Sequence, residues 1–440
     1  MTNKSKSIYN RALNVLTGGV SRNTIFRKPH PLYVAKAKGS YIKDVDGIER
    51  IDFANNMASL IHGHSHPKII QAVTEQLKKG TAYTMGSEIE VKYAELLNKR
   101  TIGFEKIRFM NSGTEAVMTM IKASRAYTGK TKIAKAEGTY HGTYDYAEIS
   151  QTSNPSNWGD INCPNKVPVV EGTPDKVLED VIVFPYNDIN RTLEILNKYS
   201  EQIACVLIDL VPHRAGLIAA KDEYINAIYK WTRENNVVLA FDEVVTYRVD
   251  YSGAQQSYSV TPDLTALGKI IGGGFPIGAL AGKSDIMKVL DPTESNLKHP
   301  HSGTFSANPI STTAGYTAMK IFDKHAVANL NRLTKVAIKQ IEEAIKISDV
   351  TACVTGEGSM FRIHLKTTPP NNARDAYQNI NVKKILDELL DYLFLKEHII
   401  MINTCSCMFS TTLKQKEIDR LSQALLNGFR LLKPKLDKLE

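Results

Sequence analysis

The stretch Phe241–Gly274, FDEVVTYRVDYSGAQQSYSVTPDLTALGKIIGGG, decides the reading of this chain. It continues the apolar run Val237-Val238-Leu239-Ala240, and together these residues read as a fully buried parallel strand. The acid pair Asp242-Glu243 falls at the carboxyl end of that strand. Lys269 follows, just before Gly272-Gly273-Gly274. In open α/β sheets ligands bind outside the carboxyl ends of the strands. Taken singly, an aspartate there is usually a cap or an ion-pair partner, and a lysine before glycines is usually a solvated turn residue. Together they are what a pyridoxal phosphate site requires. A lysine amine condenses with the aldehyde, and a carboxylate keeps the pyridinium nitrogen protonated so that the ring accepts electrons. Glycines let backbone approach the cofactor.

The rest of the composition narrows the class. The chain has 440 residues, 42% of them hydrophobic and 23% charged, enough for one large and one small domain. No apolar run approaches about 18 residues, so no membrane span is expected. The N-terminal MTNKSKSIYNRALNVL lacks the apolar core of a secretory signal and reads as a short amphipathic helix. The net charge is +9, with basic residues scattered along the chain, which argues against nucleic-acid binding. Five cysteines with no CxxC give neither a disulfide framework nor a zinc site, and a reducing cytoplasm is expected.

Outward from the opening stretch, strands and helices alternate. Asn111-Ser112-Gly113-Thr114-Glu115 follows a short strand, Ile107–Met110, and opens a helix that ends at Gly129. Free backbone N–H groups and the helix dipole make such a turn an anion site, and the hydroxyls of Ser112 and Thr114 add donors. The strand Ile133–Ala136 leads to Gly138-Thr139-Tyr140-His141-Gly142, where an aromatic ring can stack on a flat ligand. Repeated βα units at Val181–Pro185, Ile203–Leu210 and Val237–Phe241 argue for a parallel sheet with helices on both faces. The strand ending at Asp209 carries His213 and Arg214 to the same edge as Asp242. Residues 5–16 read as a helix, Gly39–Ala54 as a hairpin turning at Asp46-Gly47, and 150–175 as a surface excursion. His62, His64 and His66 precede a helix begun by Pro67, at spacings that do not place metal ligands on one face. No metal is expected. After about residue 325 the pattern becomes that of a smaller α+β unit.

The strings GGVSRNT, GHSHP, NSGTEAVM, AYTG, GTYHGTYD, DEVVT, TPDLTALGKIIGGGFPIGA and SGTFSANP, spread in order over residues 10–320, resemble the class III, fold type I pyridoxal phosphate aminotransferases. Within them the chain is similar to the glutamate-1-semialdehyde aminomutases and their β-amino acid aminotransferase relatives. The resemblance implies a large doubly wound, mostly parallel domain (residues 65–324) and a smaller α+β domain built from both termini (1–64 and 325–440). It implies that Lys269 is the Schiff-base lysine and proton shuttle and that Asp242 pairs with the pyridinium nitrogen. Val244 and Tyr140 would face the two sides of the ring, and Ser112, Gly113 and Thr114 would bind the phosphate. Thr304 would reach the phosphate of the neighbouring subunit, making a homodimer with shared active sites.

Departures from the aminomutase pattern bear on substrate. Asp209-Leu210 stands where the aminomutases read Glu-Pro, Arg214 where they carry asparagine, and Thr246-Tyr247-Arg248 is one residue shorter than their TGFR. Near Cys405 the aminomutase glutamate is not found. Arginine suits a carboxylate because it grips both oxygens. Arg22, Arg214 and Arg248 are the candidates, with a structural ion pair to Glu243 as the equal alternative for Arg248. The expected reaction is amino transfer between a β-amino acid or related amino carboxylate and a keto acid. An aminomutase, a racemase or epimerase, and a catalytically silent binding homologue are the rivals.

Overall fold

The computed structural model describes residues 3–438. Its first strands, β1 (Val34–Lys38), β2 (Tyr41–Asp44) and β3 (Glu49–Asp52), form an antiparallel meander with the turn at Asp46-Gly47. The helix expected over residues 5–16 is shorter, Lys4–Ala12, and the chain then turns toward Gly18 and Gly19. Seven strands make the central sheet: β4 (Lys106–Met110), β5 (Lys132–Ala136), β6 (Val181–Phe184), β7 (Ile203–Ile208), β8 (Val238–Asp242), β9 (Leu264–Gly268) and β10 (Gly278–Gly282). Their order is β4-β10-β9-β8-β7-β5-β6, and β10 runs antiparallel to both its neighbours. The pairs β5–β6, β5–β7, β7–β8 and β8–β9 are parallel, so β5, β7, β8 and β9 end on one edge. Being antiparallel to β10, β4 also ends there.

The central strands are apolar throughout because both faces are covered. Val206, Ile208, Leu239 and Phe241 pack on one side with Tyr224, Ile228 and Trp231 of the helix Asp222–Glu234. Cys205, Leu207, Val238 and Ala240 pack on the other with Val117, Met120 and Ile121 of the helix Gly113–Thr128. The remaining strands are β11 (Cys353–Glu357), β12 (Met360–His364), β13 (Ile399–Ile400) and β14 (Ser406–Met408). β13 pairs in parallel with β3, so the two ends of the chain share a sheet. β11, β12 and β14 form a third sheet in that order. Its edge strand β11 lies beside the loop after β7, where Thr355 Oγ1 donates to the Gly216 carbonyl at 2.7 Å. Among the described residues no helix is long and apolar enough to cross a membrane.

Candidate active site

Parallel pairing delivers five strand ends to one place, and a cavity opens there. It is lined by Ser112, Gly113 and Thr114 after β4, Tyr140 and His141 after β5, Asp209 after β7, Asp242 and Val244 at β8, and Lys269 after β9. Seven of the residues singled out from sequence are thus brought together: Ser112, Gly113, Thr114, Tyr140, Asp242, Val244 and Lys269.

The anion end is built by a helix cap. Ser112 Oγ accepts the Glu115 N–H at 3.1 Å, while Glu115 returns its carboxylate to the Asn111 N–H at 2.8 Å. This reciprocal cap leaves the N–H groups of Gly113 and Thr114, at the first positions of the helix, without intrahelical partners. Gly113 must be glycine here, because a Cβ would stand 2.8 Å from Val244 Cγ1 and 2.9 Å from Cγ2.

The acidic end lies deeper. Asp242 is buried, with Oδ1 accepting the Val244 N–H at 3.0 Å and Oδ2 2.7 Å from His141 Nδ1. The far ring nitrogen of His141 lies 2.9 Å from Thr139 Oγ1. That hydroxyl has one proton, and it donates it to the Ala136 carbonyl at 2.6 Å. The His141 Nε2–H is therefore the donor to Thr139, and one further proton lies between Nδ1 and Asp242 Oδ2. Burial, the larger effect, holds the imidazole pKa below its usual value, and the hydrogen bond and charge of Asp242 oppose it.

Lys269 follows β9 with a φ of 48°, a left-handed value for a residue with a side chain. Such backbone strain is held in place only by its surroundings and concentrates at functional sites. Burial lowers the pKa of its amine, while Asp242 and Asp209 raise it. Asp209 is itself pushed up, by burial first and by Asp242 second.

The sequence pattern described as Aminotransferase class-III matches residues 25–426. The chain belongs to the class-III aminotransferases. It is 36% identical over 439 residues to the glutamate-1-semialdehyde 2,1-aminomutase of Thermodesulfovibrio yellowstonii, covering 98% of this chain and 100% of that one. Its structure is similar to an omega-transaminase from Sphaerobacter thermophilus, with a TM-score of 0.95 at 40% identity and 98% of each chain covered. It is also similar to a β-phenylalanine aminotransferase from Variovorax paradoxus, with a TM-score of 0.88 at 27% identity, covering 98% of this chain and 95% of that one.

The fold is accordingly that of the fold type I enzymes, and the cofactor of this enzyme is pyridoxal 5′-phosphate. The cavity fits it in three respects. Unpartnered helix N–H groups await a phosphate, a buried carboxylate awaits a protonated ring nitrogen, and a lysine amine faces both. When bound, the cofactor supplies an electron sink for the bond broken at the amino-bearing carbon.

Other candidates are placed differently. Arg214 is exposed at the rim, its guanidinium carbon 4.4 Å from the centre of the Tyr140 ring. Arg22 lies in a second groove shared with Met57, Leu60 and Gly274, the last of these on the loop that begins at Lys269, where its Nη1 donates to Asn56 Oδ1 at 2.8 Å. Asn56 belongs to a left-handed turn in which Asn55, Asn56, Met57 and Ala58 all have φ between 45° and 74°. Arg248 is not at the site, correcting the expectation that it grips substrate. Its side chain is fully buried, and its N–H groups go to Ser359 Oγ (2.8 Å) and to the carbonyls of Ala58 (3.3 Å) and Phe409. Nor does it pair with Glu243, whose carboxylate accepts instead from Ala254 N, Gln255 N and Gln255 Nε2. Thr304 lines a different, exposed pocket with Tyr83 and Met85. His62 bonds to Thr411 and the Ala318 carbonyl, and His64 to Asp52.

The sequence reading assigned no role to His141 or Asp209. His141 stands inside the quoted GTYHGTYD and Asp209 at a strand end that departs from the aminomutase pattern, but only the folded strand ends show that one touches Asp242 and the other lies near Lys269.

Proposed function

We propose that this enzyme transfers an amino group between an amino carboxylate of the β-amino acid type and a keto acid. In this reading Lys269 would anchor the cofactor through its amine and, as a free amine, would take up and return the proton at the substrate carbon, while the cofactor would supply the electron sink. Its lowered pKa favours that task, since a free amine is required to take up the proton. Asp242, steadied by His141, keeps the ring nitrogen charged. Gly113 and Thr114 hold the phosphate, while Val244 and Tyr140 flank the ring. Thr304, turned away from its own cavity, completes the phosphate site of a second copy in a homodimer. Exposed Met85 and Phe305 beside it support that contact. Five free cysteines support a cytoplasmic enzyme.

The observation that carries the substrate class is the pair of arginines near the cavity, Arg22 and Arg214, neither of them in an ion pair among the described residues. They suit a carboxylate on the amino substrate. The likeness to an omega-transaminase and a β-phenylalanine aminotransferase supports amino transfer between two molecules. A second reading, an intramolecular aminomutase, is favoured by the name of the Thermodesulfovibrio relative. Turnover of purified holoenzyme with and without 2-oxoglutarate separates them. Amino transfer requires an added acceptor, and conversion of a semialdehyde with no acceptor present would overturn it.

A further inference from the structure

Lys135 is fully buried, yet the proposed chemistry has no task for it. It stands on β5 between Val183 of β6 and Leu207 of β7, on the face where Ile133 packs with Val181, Cys205 and Leu207. An apolar residue would suit that face better, since an amine taken out of water costs stability unless its hydrogen bonds are replaced. No ion pair replaces them among the described residues. Two backbone carbonyls do: Nζ donates to Thr139 O at 3.0 Å and to Ile149 O at 2.7 Å. A neutral amine has two N–H groups, and both are used here; an ammonium would bring a third with no acceptor among the described residues. Burial first, and the charge of Arg214 second, push the amine down to about 7, and Glu148 opposes them.

The two carbonyls bracket the segment that forms one wall of the cavity. Residues 139–149 leave β5 with Tyr140 and His141 and return at Ser150, whose carbonyl accepts the Gly138 N–H at 2.9 Å. Gly138 and Ser150 hold φ of 75° and 56° where the segment closes. Lys135 ties the same closure from beneath, and no other donor reaches the Thr139 or Ile149 carbonyl among the described residues. Thr139 links this amine to the acidic end of the site. Its hydroxyl donates to Ala136 O and accepts from His141 Nε2 at 2.9 Å, and His141 Nδ1 lies 2.7 Å from Asp242 Oδ2. Lys135, Thr139, His141 and Asp242 are all buried, so water cannot stand in for a broken link.

We propose that Lys135 is a positioning residue of the cofactor site: by holding the Thr139 and Ile149 carbonyls it fixes the turn that presents His141 to Asp242 and Tyr140 to the cavity. Lys135 does not itself line the cavity and acts only through these residues. The role rests on the reading in which Asp242 meets the ring nitrogen, and adds the group that sets the geometry of that contact from behind.

The test compares holoenzymes altered at two lysines of matched bonding. Lys130, just before β5, also donates to two carbonyls, Ser200 O at 3.1 Å and Asn235 O at 2.9 Å, but at the end of the strand away from the turn. The proton between His141 Nδ1 and Asp242 Oδ2 should give a far-downfield proton NMR signal, identified as the one missing from His141→Phe. In Lys135→Met that signal should shift or broaden, and equilibrium dialysis should show pyridoxal 5′-phosphate held about 5- to 10-fold more weakly. Lys130→Met should lower stability and leave both readouts unchanged. Lys135→Gln keeps two N–H donors one bond closer to the backbone, so its signal should move less and part of the affinity should return. A signal and an affinity that stay unaltered in Lys135→Met, or in Lys135→Gln if the methionine variant does not fold, would overturn the role. Equal effects from Lys130→Met would do the same. Asp242→Ala checks the underlying reading: unaltered cofactor affinity there would remove Asp242 from the ring nitrogen. Weakened binding in Asp242→Ala beside no effect of Lys135→Met would overturn the role of Lys135 alone.

Discussion

Replacing His141 with phenylalanine isolates the contribution of the imidazole to the site. His141 and Asp242 are 1% and 4% exposed, so water cannot take over the lost contact at Asp242 Oδ2. The 2.7 Å bond joins the ring to an acid, and hydrogen bonds to a charged group contribute about 1.5–3 kcal/mol. If the carboxylate loses that support, its hold on a protonated ring nitrogen weakens by a similar amount. The half-reaction with an amino donor should then slow by roughly 10- to 150-fold. His141→Asn, which keeps an N–H donor near the position of Nδ1, should recover much of the rate. Thr139→Val removes only the outer partner, a neutral bond of about 1 kcal/mol, and should slow the reaction about fivefold. Stopped-flow absorbance on cofactor-saturated enzyme measures all three. A His141→Phe enzyme that retains its cofactor and reacts within twofold of the unaltered rate would refute the reasoning.

Gly113→Ala should weaken cofactor binding by about 10-fold or more, because its Cβ meets Val244 at 2.8 Å and the helix start must move; equilibrium dialysis of the cofactor checks this. Arg22→Gln should raise KM for the amino substrate by roughly 10- to 150-fold with kcat little changed, and an unchanged KM would remove Arg22 from the substrate site. Lys135 is fully buried, its amine donating to Thr139 O and Ile149 O, and burial lowers its pKa to about 7. The unfolded chain takes up this proton as pH falls below the ordinary lysine value, while the folded chain waits until about pH 7. The group's stabilising contribution is therefore full above the unfolded pKa and is lost as pH falls toward 7. Lys135→Met should flatten the rise in urea midpoint between pH 7 and pH 9.

Much of the scaffold was legible because buried parallel strands are continuous apolar runs. IACVLI and VLAFD could hardly be anything else, and the residues just after them had to share an edge. The strands LTALG and GALAG were harder to see. Small and glycine-rich, they look like loop, and only their pairing across the centre of the sheet gives them regular form. The helix Glu88–Arg100 has a weakly segregated surface and likewise escaped notice. At the site, Lys269, Asp242 and the capped turn announced themselves through residue type and spacing. Arg248 did not, because an arginine beside Glu243 in sequence suggests an ion pair, whereas the chain sends Glu243 toward Ala254 and Arg248 toward β12 and the residues after β14.

The turn at Asn55–Ala58 sets terms for anyone who would reshape substrate preference. Each of its four residues holds a conformation that β-branched or bulky replacements resist, and asparagine or glycine tolerates best. Random libraries that include these positions would spend most of their members on chains that cannot adopt the turn. Ile25 and Phe26, which line the same groove from ordinary extended or 3₁₀ backbone, offer side chains that can be exchanged without bending the main chain. Directed evolution of this enzyme should vary that wall and leave the turn as a fixed hinge-post.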